Sequence, residues 1–138
     1  ASGFCVSDGV GDDDVQLIET MLSSVGIASQ VTEPQMNAVT GVSGSGPAYV
    51  FLIIEALADG GVAAGLPRAT ALQLATQTVL GAAKMVRETG EHPGVLKDNV
   101  CSPGGTTIAA MSTLEQNAVR GAMIQAVQAS ANRSRELA

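Results

Sequence analysis

The sequence of 138 residues suits one domain with one core, and its 46% of hydrophobic residues come mostly from Ala, Val, Leu and Ile, with aromatics at only 2%. The net charge of -6, with seven Lys and Arg, argues against nucleic acid or an anionic membrane surface as partner, because both need clustered cations. No uninterrupted apolar run reaches the roughly 18 residues of a membrane span, and no signal peptide or basic transit segment is visible.

In chain order, Ser2 to Asp8 alternates weakly, with Phe4 and Val6 on one face, and predicts a short strand. No partner strand is evident further along. A lone strand leaves its backbone groups unpaired, so this one is expected to belong to a sheet whose other strands lie outside the sequence. Asp12, Asp13 and Asp14 precede an approximately helical stripe of Val15, Leu17, Ile18, Met21, Leu22 and Val25, closed by Gly26. The acidic run complements the helix dipole and supplies a cap, with metal binding the less favoured alternative.

Glu33-Pro34 opens a short helix through Val39, and Thr40 to Pro47 (TGVSGSGP) reads as a Gly/Ser loop. From Pro47 to Ala64 the pattern is a helix apolar almost all round, with only Glu55 and Asp59 charged, hence buried on most sides. Gly65-Leu66-Pro67 stops it, and a second long helix runs from Arg68 to Glu88. At 1.5 Å per residue the two are roughly 27 and 31 Å long. Helices so long and apolar in so short a chain favour burial against a second copy over a hairpin buried within one subunit. A short helix follows from His92-Pro93 to Val100, then a Pro/Gly loop from Cys101 to Gly105, then helices over Thr106–Gln116 and Ala118–Leu137. Arg133 and Arg135 sit in the final turns, where cations suit the dipole. The predicted fold class is all-α, a bundle of long apolar helices interlocked in a homodimer, with one short N-terminal strand.

Two stretches offer chemistry. In Ser102-Pro103-Gly104-Gly105-Thr106-Thr107, glycines let a ligand approach the backbone just before a helix start, where N–H groups are unpaired and partly positive. Three hydroxyls add donors, giving either a small anion site of carboxylate size or a plain helix cap. Ser43-Gly44-Ser45-Gly46-Pro47 has the same order of Gly, Ser and helix start, and reads either that way or as a tight loop between packed helices. Neither stands in the strand-GxGxxG-helix context of a dinucleotide fold. Cys5 and Cys101 are far apart with no CxxC spacing, the pattern of reduced thiols in a reducing compartment. His92 is the only histidine, and with the carboxylates scattered or in one run no metal site is expected.

Three stretches together resemble the pyrroline-5-carboxylate reductases: AVTGVSGSGPAY from Ala38 to Tyr49, running on into EALADGGVAAGLPR; TVLGAAKM from Thr78 to Met85; and HPGVLKDNVCSPGGTTIAAMSTLE from His92 to Glu115. The closing SRELA is also similar to the family's. The resemblance implies an N-terminal Rossmann domain and a C-terminal helical domain that interlocks with its twin, with the active site at the dimer interface. On that basis residues 1–10 are expected to be a remnant of the last strand region of a dinucleotide-binding domain, and residues 11–138 the helical dimerisation and substrate-binding domain. The implied reaction is the NAD(P)H-dependent reduction of 1-pyrroline-5-carboxylate to L-proline, with NADPH or NADH held mainly by the Rossmann domain.

Residue by residue, the resemblance makes Ser102, Gly104, Gly105, Thr106 and Thr107 the site of the substrate carboxylate, with the amides of Gly105, Thr106 and Thr107 facing it. It makes Thr107 the catalytic hydroxyl, hydrogen-bonded to the ring nitrogen. Thr40 and Ser45 resemble residues near the nicotinamide end of the cofactor, and His92 lies near the substrate region as loop structure. The implied partners are a second copy, or an assembly of dimers, and a small imino acid, with no nucleic acid and no membrane. The implied location is the cytoplasm, or an organelle if a targeting segment precedes the sequence. Two other readings are an isolated dimerisation module with no activity of its own, and the helical domain of a hydroxyacid or phosphogluconate dehydrogenase. The latter usually recruits a lysine, and neither Lys84 nor Lys97 lies in a Gly-rich loop.

Overall fold

A computed structural model describes residues 1–137. The N-terminal strand is not solitary. Ser2–Phe4 (β1) pairs in parallel with Ala28–Gln30 (β2), in the register Ser2↔Ala28, Gly3↔Ser29 and Phe4↔Gln30. Asp12–Ser23 (α1) is the connection between them, so the chain opens on a β-α-β unit. This corrects the expectation of a strand without a partner and shortens the strand to three residues. Ala28-Ser29-Gln30 carries no alternating apolar signal, so nothing in its pattern marks it as a strand. The three aspartates fill the first turn of α1, where they oppose the dipole, but the cap residue is Gly11 and no side chain caps the helix.

The region expected to be a loop after Val39 stays helical. Thr32 precedes a 3-10 turn over Glu33–Gln35, and its amide and hydroxyl both donate to Gln35 Oε1, at 2.8 and 2.9 Å. Met36–Val39 (α2) follows, then a π-helical turn over Thr40–Gly44, then Gly46–Ala63 (α3). The π-turn closes through the Ser45 amide on Thr40 O at 2.8 Å, and Ser43 returns its hydroxyl to Val39 O at 3.0 Å. Glycines read as loop formers therefore serve close packing inside a helical path.

The chain divides into two compact units, Ala1–Pro47 with the residues from Met123 onward, and Ala48–Ala122. In the first, the π-turn lies on the last helix, Val119–Leu137 (α7). Gly41 is buried there, and a Cβ on it would stand 2.7 Å from Val127 O and 3.5 Å from the Ala131 Cβ. Gly3 is similarly pressed on Val39, whose Cγ1 would lie 2.7 Å from an added Cβ.

In the second unit, α3 and Arg68–Thr89 (α4) form a hairpin. Gly65, at φ +102, makes the turn, and an Arg68–Asp59 ion pair at 2.6 Å spans it. Gly61 faces Ala71, where an added Cβ would come within 3.1 Å of the Ala71 Cβ. The buried hydrophobic core is Ala58, Ala71 and Ala75, with Ile54 and Val62 packed beside it. Pro93–Val100 (α5) starts at His92, whose Nδ1 accepts from the Gly94 amide at 3.0 Å, so His92 is a helix cap. Thr106–Gln116 (α6) completes the unit's helices before α7.

An all-alanine core leaves the larger side chains uncovered. Phe51 is 68% exposed and Leu52 66%, and Leu72, Leu74, Leu80 and Met85 are exposed too. Covering a side chain of this size is worth about 1.5–3 kcal/mol, so the α3–α4 hairpin leaves extensive apolar surface open to a cover. The stretch Glu33–Ala63 also has the length and composition to cross a membrane, with a mean hydropathy of 1.3 over its window. It does so on its average alone, since no uninterrupted apolar run within it reaches 18 residues. The intervening glycines, serines and threonines are nearly neutral in hydropathy and do not lower the average as charges would.

Candidate functional site

The Ser102–Thr107 segment folds for local reasons. Pro103 fixes φ at the second position of a turn, and Gly104 takes φ +65 at the third, which a side chain would resist. The Gly105 amide donates to Ser102 O at 3.0 Å, closing what has the features of a type II turn. Gly105 then caps α6 in extended conformation, and no side chain caps that helix. Its lack of a Cβ matters, because one would collide with Ser102 Oγ.

One expectation for this loop is corrected. The Gly105 amide does not face a ligand, because the turn uses it. The amides of Thr106 and Thr107 have no acceptor among the described residues, and neither do the hydroxyls of Ser102, Thr106 and Thr107. Ser102, Gly104 and Thr106 are exposed, while Gly105 and Thr107 are half-buried. The arrangement is two open amides at the positive end of an 11-residue helix, ringed by three hydroxyls.

Charge is placed at both ends of this region. Lys97, near the end of α5, is ion-paired with Asp98, and that hydrogen bond raises its pKa. Past the end of α6, Arg120 bonds Glu115 at 2.5 Å, which holds the Glu115 carboxyl below its usual range and raises the guanidinium further. Between them Ala118 adopts φ +54, a left-handed conformation rare for alanine.

Thr40 and Ser45 lie in the first unit and are brought together by the π-turn. They share a shallow groove with Ser130, Arg133, Ser134 and Leu137 of α7. Ser45 Oγ is 2.8 Å from Ser130 Oγ, Ser134 donates to Asn37 Oδ1 at 2.8 Å, and Thr40 donates to Met36 O at 3.1 Å. Arg133 is paired with Glu136 at 2.9 Å. This stretch packs tightly and forms no anion loop: α3 begins at Gly46, and the Ser45 amide just before it is closed on Thr40 O. The α7 members were missed by sequence reasoning, although Ser130, Arg133, Ser134 and Leu137 follow the spacing of one helix face. Among the described residues, no group of three His, Cys, Asp or Glu could hold a metal ion.

Residues 33–137 match the family model described as pyrroline-5-carboxylate reductase dimerisation. Curated relatives include pyrroline-5-carboxylate reductases of Arabidopsis thaliana, 57% identical over 99% of this chain and 50% of the relative, and of Synechocystis, 58% identical over 93% and 48%. Among solved structures, a pyrroline-5-carboxylate reductase from Coxiella burnetii superposes with a TM-score of 0.96 at 41% identity, covering 99% of this chain and 52% of that one. A Plasmodium falciparum pyrroline carboxylate reductase with NADP bound gives 0.89 at 36% identity, covering 98% and 52%. The chain thus spans about half the length of the curated relatives it matches. With three quarters of its length inside the family model and the fold shared along nearly all of it, the chain belongs to the pyrroline-5-carboxylate reductase dimerisation family.

Proposed function

We propose that this chain is the substrate-binding and dimer-forming part of a reductase that converts 1-pyrroline-5-carboxylate to L-proline with NADPH or NADH. One observation carries the reading: the Thr106 and Thr107 amides are open at the start of α6, beside the hydroxyls of Ser102, Thr106 and Thr107. That donor set is the size of a carboxylate and carries no counter-charge of its own. With the carboxylate held there, the Thr107 hydroxyl donates to the ring nitrogen and orients the C=N bond. When bound, the nicotinamide cofactor would supply a hydride for the carbon, and the nitrogen would take its proton from solvent. No strong base is required, only orientation and a donor near nitrogen. The hydroxyls around Thr40 and Ser45 fit the uncharged carboxamide end of such a cofactor better than its phosphates, because Arg133 is already paired with Glu136.

In this reading the uncovered face of α3 and α4 is covered by a second copy rather than by lipid, alone or in an assembly of dimers, and the protein works in the cytoplasm or an organelle lumen. The β-α-β unit up to Gln30 continues the sheet of a dinucleotide-binding domain, which moves the proposed boundary from residue 10 to about the start of the family match at residue 33.

The test uses the full-length protein. Thr106→Pro deletes one open amide, and proline suits the first helical position. Losing one charge-assisted hydrogen bond of about 1.5–3 kcal/mol predicts roughly ten- to hundredfold weaker proline binding, with the unfolding midpoint unchanged. Thr107→Ala should lower kcat. Unchanged proline affinity in Thr106→Pro removes the loop from substrate binding.

A second reading, a dimerisation module without activity of its own, is favoured by the contrast between an alanine core and the exposed Phe51, Leu52 and Leu80. Calorimetric titration of the isolated chain with NADPH and with proline separates the two readings.

A further inference from the structure

Two helices meet at the Ser102–Gly105 turn, and they begin in opposite ways. α6 starts open, with the Thr106 and Thr107 amides unmet. α5 starts closed, and one residue closes it. His92 O accepts from the Val95 and Leu96 amides at 2.9 and 3.3 Å, and His92 Nδ1 accepts from the Gly94 amide at 3.0 Å. Pro93 has no amide hydrogen to place. Side chains cap neither α1, α4 nor α6, which sets α5 apart from them.

The direction of the side-chain bond is fixed. A backbone amide only donates, so Nδ1 offers its lone pair and the ring hydrogen sits on Nε2. Protonating the ring would put a hydrogen on Nδ1 and take that lone pair away, so capping and protonation compete for one atom. The imidazolium would also set a positive charge at the positive end of α5. Histidine changes charge between pH 5 and 8, where Asp and Glu ordinarily do not. His92 is exposed, and the charged groups nearest it along the chain are Arg87 and Glu88 of α4, Glu91 beside it, and Lys97 and Asp98 of α5. Among the described residues none forms an ion pair with it: Glu88 is paired with Lys84, and Lys97 with Asp98. Losing the cap matters because α5 has only eight residues, carries Gly94 in its first turn and buries none of its side chains. A helix of two turns is marginal by itself.

We propose that His92 is a pH-sensitive cap and a positioning residue. Neutral, it holds α5 in place ahead of the Ser102 turn; protonated, it releases the first turn of α5 and weakens the carboxylate site. This rests on the reading above that the Thr106 and Thr107 amides receive a carboxylate. His92 does not itself touch the substrate.

The experiment compares the full-length parent with His92→Asn, which caps and does not titrate, and His92→Ala, which cannot cap. It reads equilibrium proline binding at about pH 8 and about pH 5.5, a window in which the proline carboxylate stays ionised, and amide hydrogen exchange over Pro93–Val100 at both. The parent should lose about two- to tenfold in proline affinity on acidification, no more than the strength of a helix cap. His92→Asn should keep its affinity at both pH values, and His92→Ala should bind like the acidified parent at both. Exchange over α5 should quicken in the acidified parent relative to His92→Asn at the same pH. If the parent and His92→Asn lose affinity alike, another group titrates and the proposal falls. Equal exchange in the two at the lower pH means that the cap does not answer to protonation, and also overturns it. If exchange quickens while affinity stays flat, Thr106→Pro tells which part failed. Impaired proline binding in that variant keeps the carboxylate site and overturns the coupling alone; unimpaired binding removes the site and the coupling together.

Discussion

Thr40–Gly46 and Ser102–Thr107 look alike as sequence, both glycine and hydroxyl residues running into a helix. They fold in opposite ways. The second ends one helix, turns through a left-handed glycine and starts another, leaving the Thr106 and Thr107 amides open. The first never leaves the helical path, and its Ser45 amide is closed on Thr40 O. The difference is tertiary. A Cβ on Gly41 would meet the backbone of α7 at Val127, 86 positions away, whereas one on Gly105 would meet only the neighbouring Ser102, its hydroxyl first and then its carbonyl oxygen at 3.1 Å. A glycine-hydroxyl stretch therefore becomes a binding loop or a packing element according to what lies across from it.

The strongest way to break this comparison is to add one methyl at each glycine. At Gly41 the methyl meets a carbonyl oxygen that cannot turn aside, so Gly41→Ala should destabilise by about 1–3 kcal/mol, the usual cost of overpacking. At Gly105 it meets the hydroxyl of Ser102, which can rotate away, and the Ser102 carbonyl oxygen at 3.1 Å, which need shift only by tenths of an ångström, so Gly105→Ala should lower the unfolding midpoint less and disturb ligand binding more. Thermal unfolding of the two variants side by side decides it. Equal losses of stability would mean the loop is packed as tightly as the π-turn.

A smaller effect is expected at Gly104, where the constraint is backbone conformation alone. Nothing lies within 4 Å of an added Cβ, but φ is +65. Gly104→Ala should cost about 1–2 kcal/mol, the penalty for placing an L side chain in the left-handed region. Gly104→Asn should cost less, since asparagine tolerates that region better. If alanine is as stable as glycine there, the turn is not held as described.

Helix positions were legible because they depend on local pattern. The α3, α4, α6 and α7 bounds fall within one residue of expectation, and Gly65, Gly90 and Pro93 punctuate them for reasons visible in the sequence. The open start of α6 was legible for the same reason. What was not legible depends on residues distant in sequence. The pairing of β2 with β1, the helical state of Thr40–Gly44, and the contributions of Ser130 and Ser134 each need a partner between 26 and 97 positions away. The consumption of the Gly105 amide is different: Ser102-Pro103-Gly104-Gly105 is a turn signal in its own right, and it was read for its glycines rather than for the hydrogen bond such a turn makes.

The smallest effect lies at the far end of α6 and separates the two ends of that helix. Glu115 is held below its usual pKa by its bond to Arg120. A carboxyl lowered in the folded state stabilises the protein at pH values above its unfolded pKa, and that contribution is lost as pH falls through the lower, folded value. Stability should therefore begin to drop below about pH 4.5, and Glu115→Gln should remove this part of the acid slope while leaving neutral-pH stability nearly unchanged, since both partners are exposed. Proline affinity of the full-length protein should be the same in Glu115→Gln as in the parent. The site at the start of α6 rests on amides oriented by the first turn and the preceding glycine, and a salt bridge past the last turn does not reach them. A Glu115→Gln variant that loses proline binding at neutral pH would mean that α6 is oriented from its C-terminal end, and the Ser102–Gly105 turn would then be a consequence of where the helix sits rather than the device that sets it.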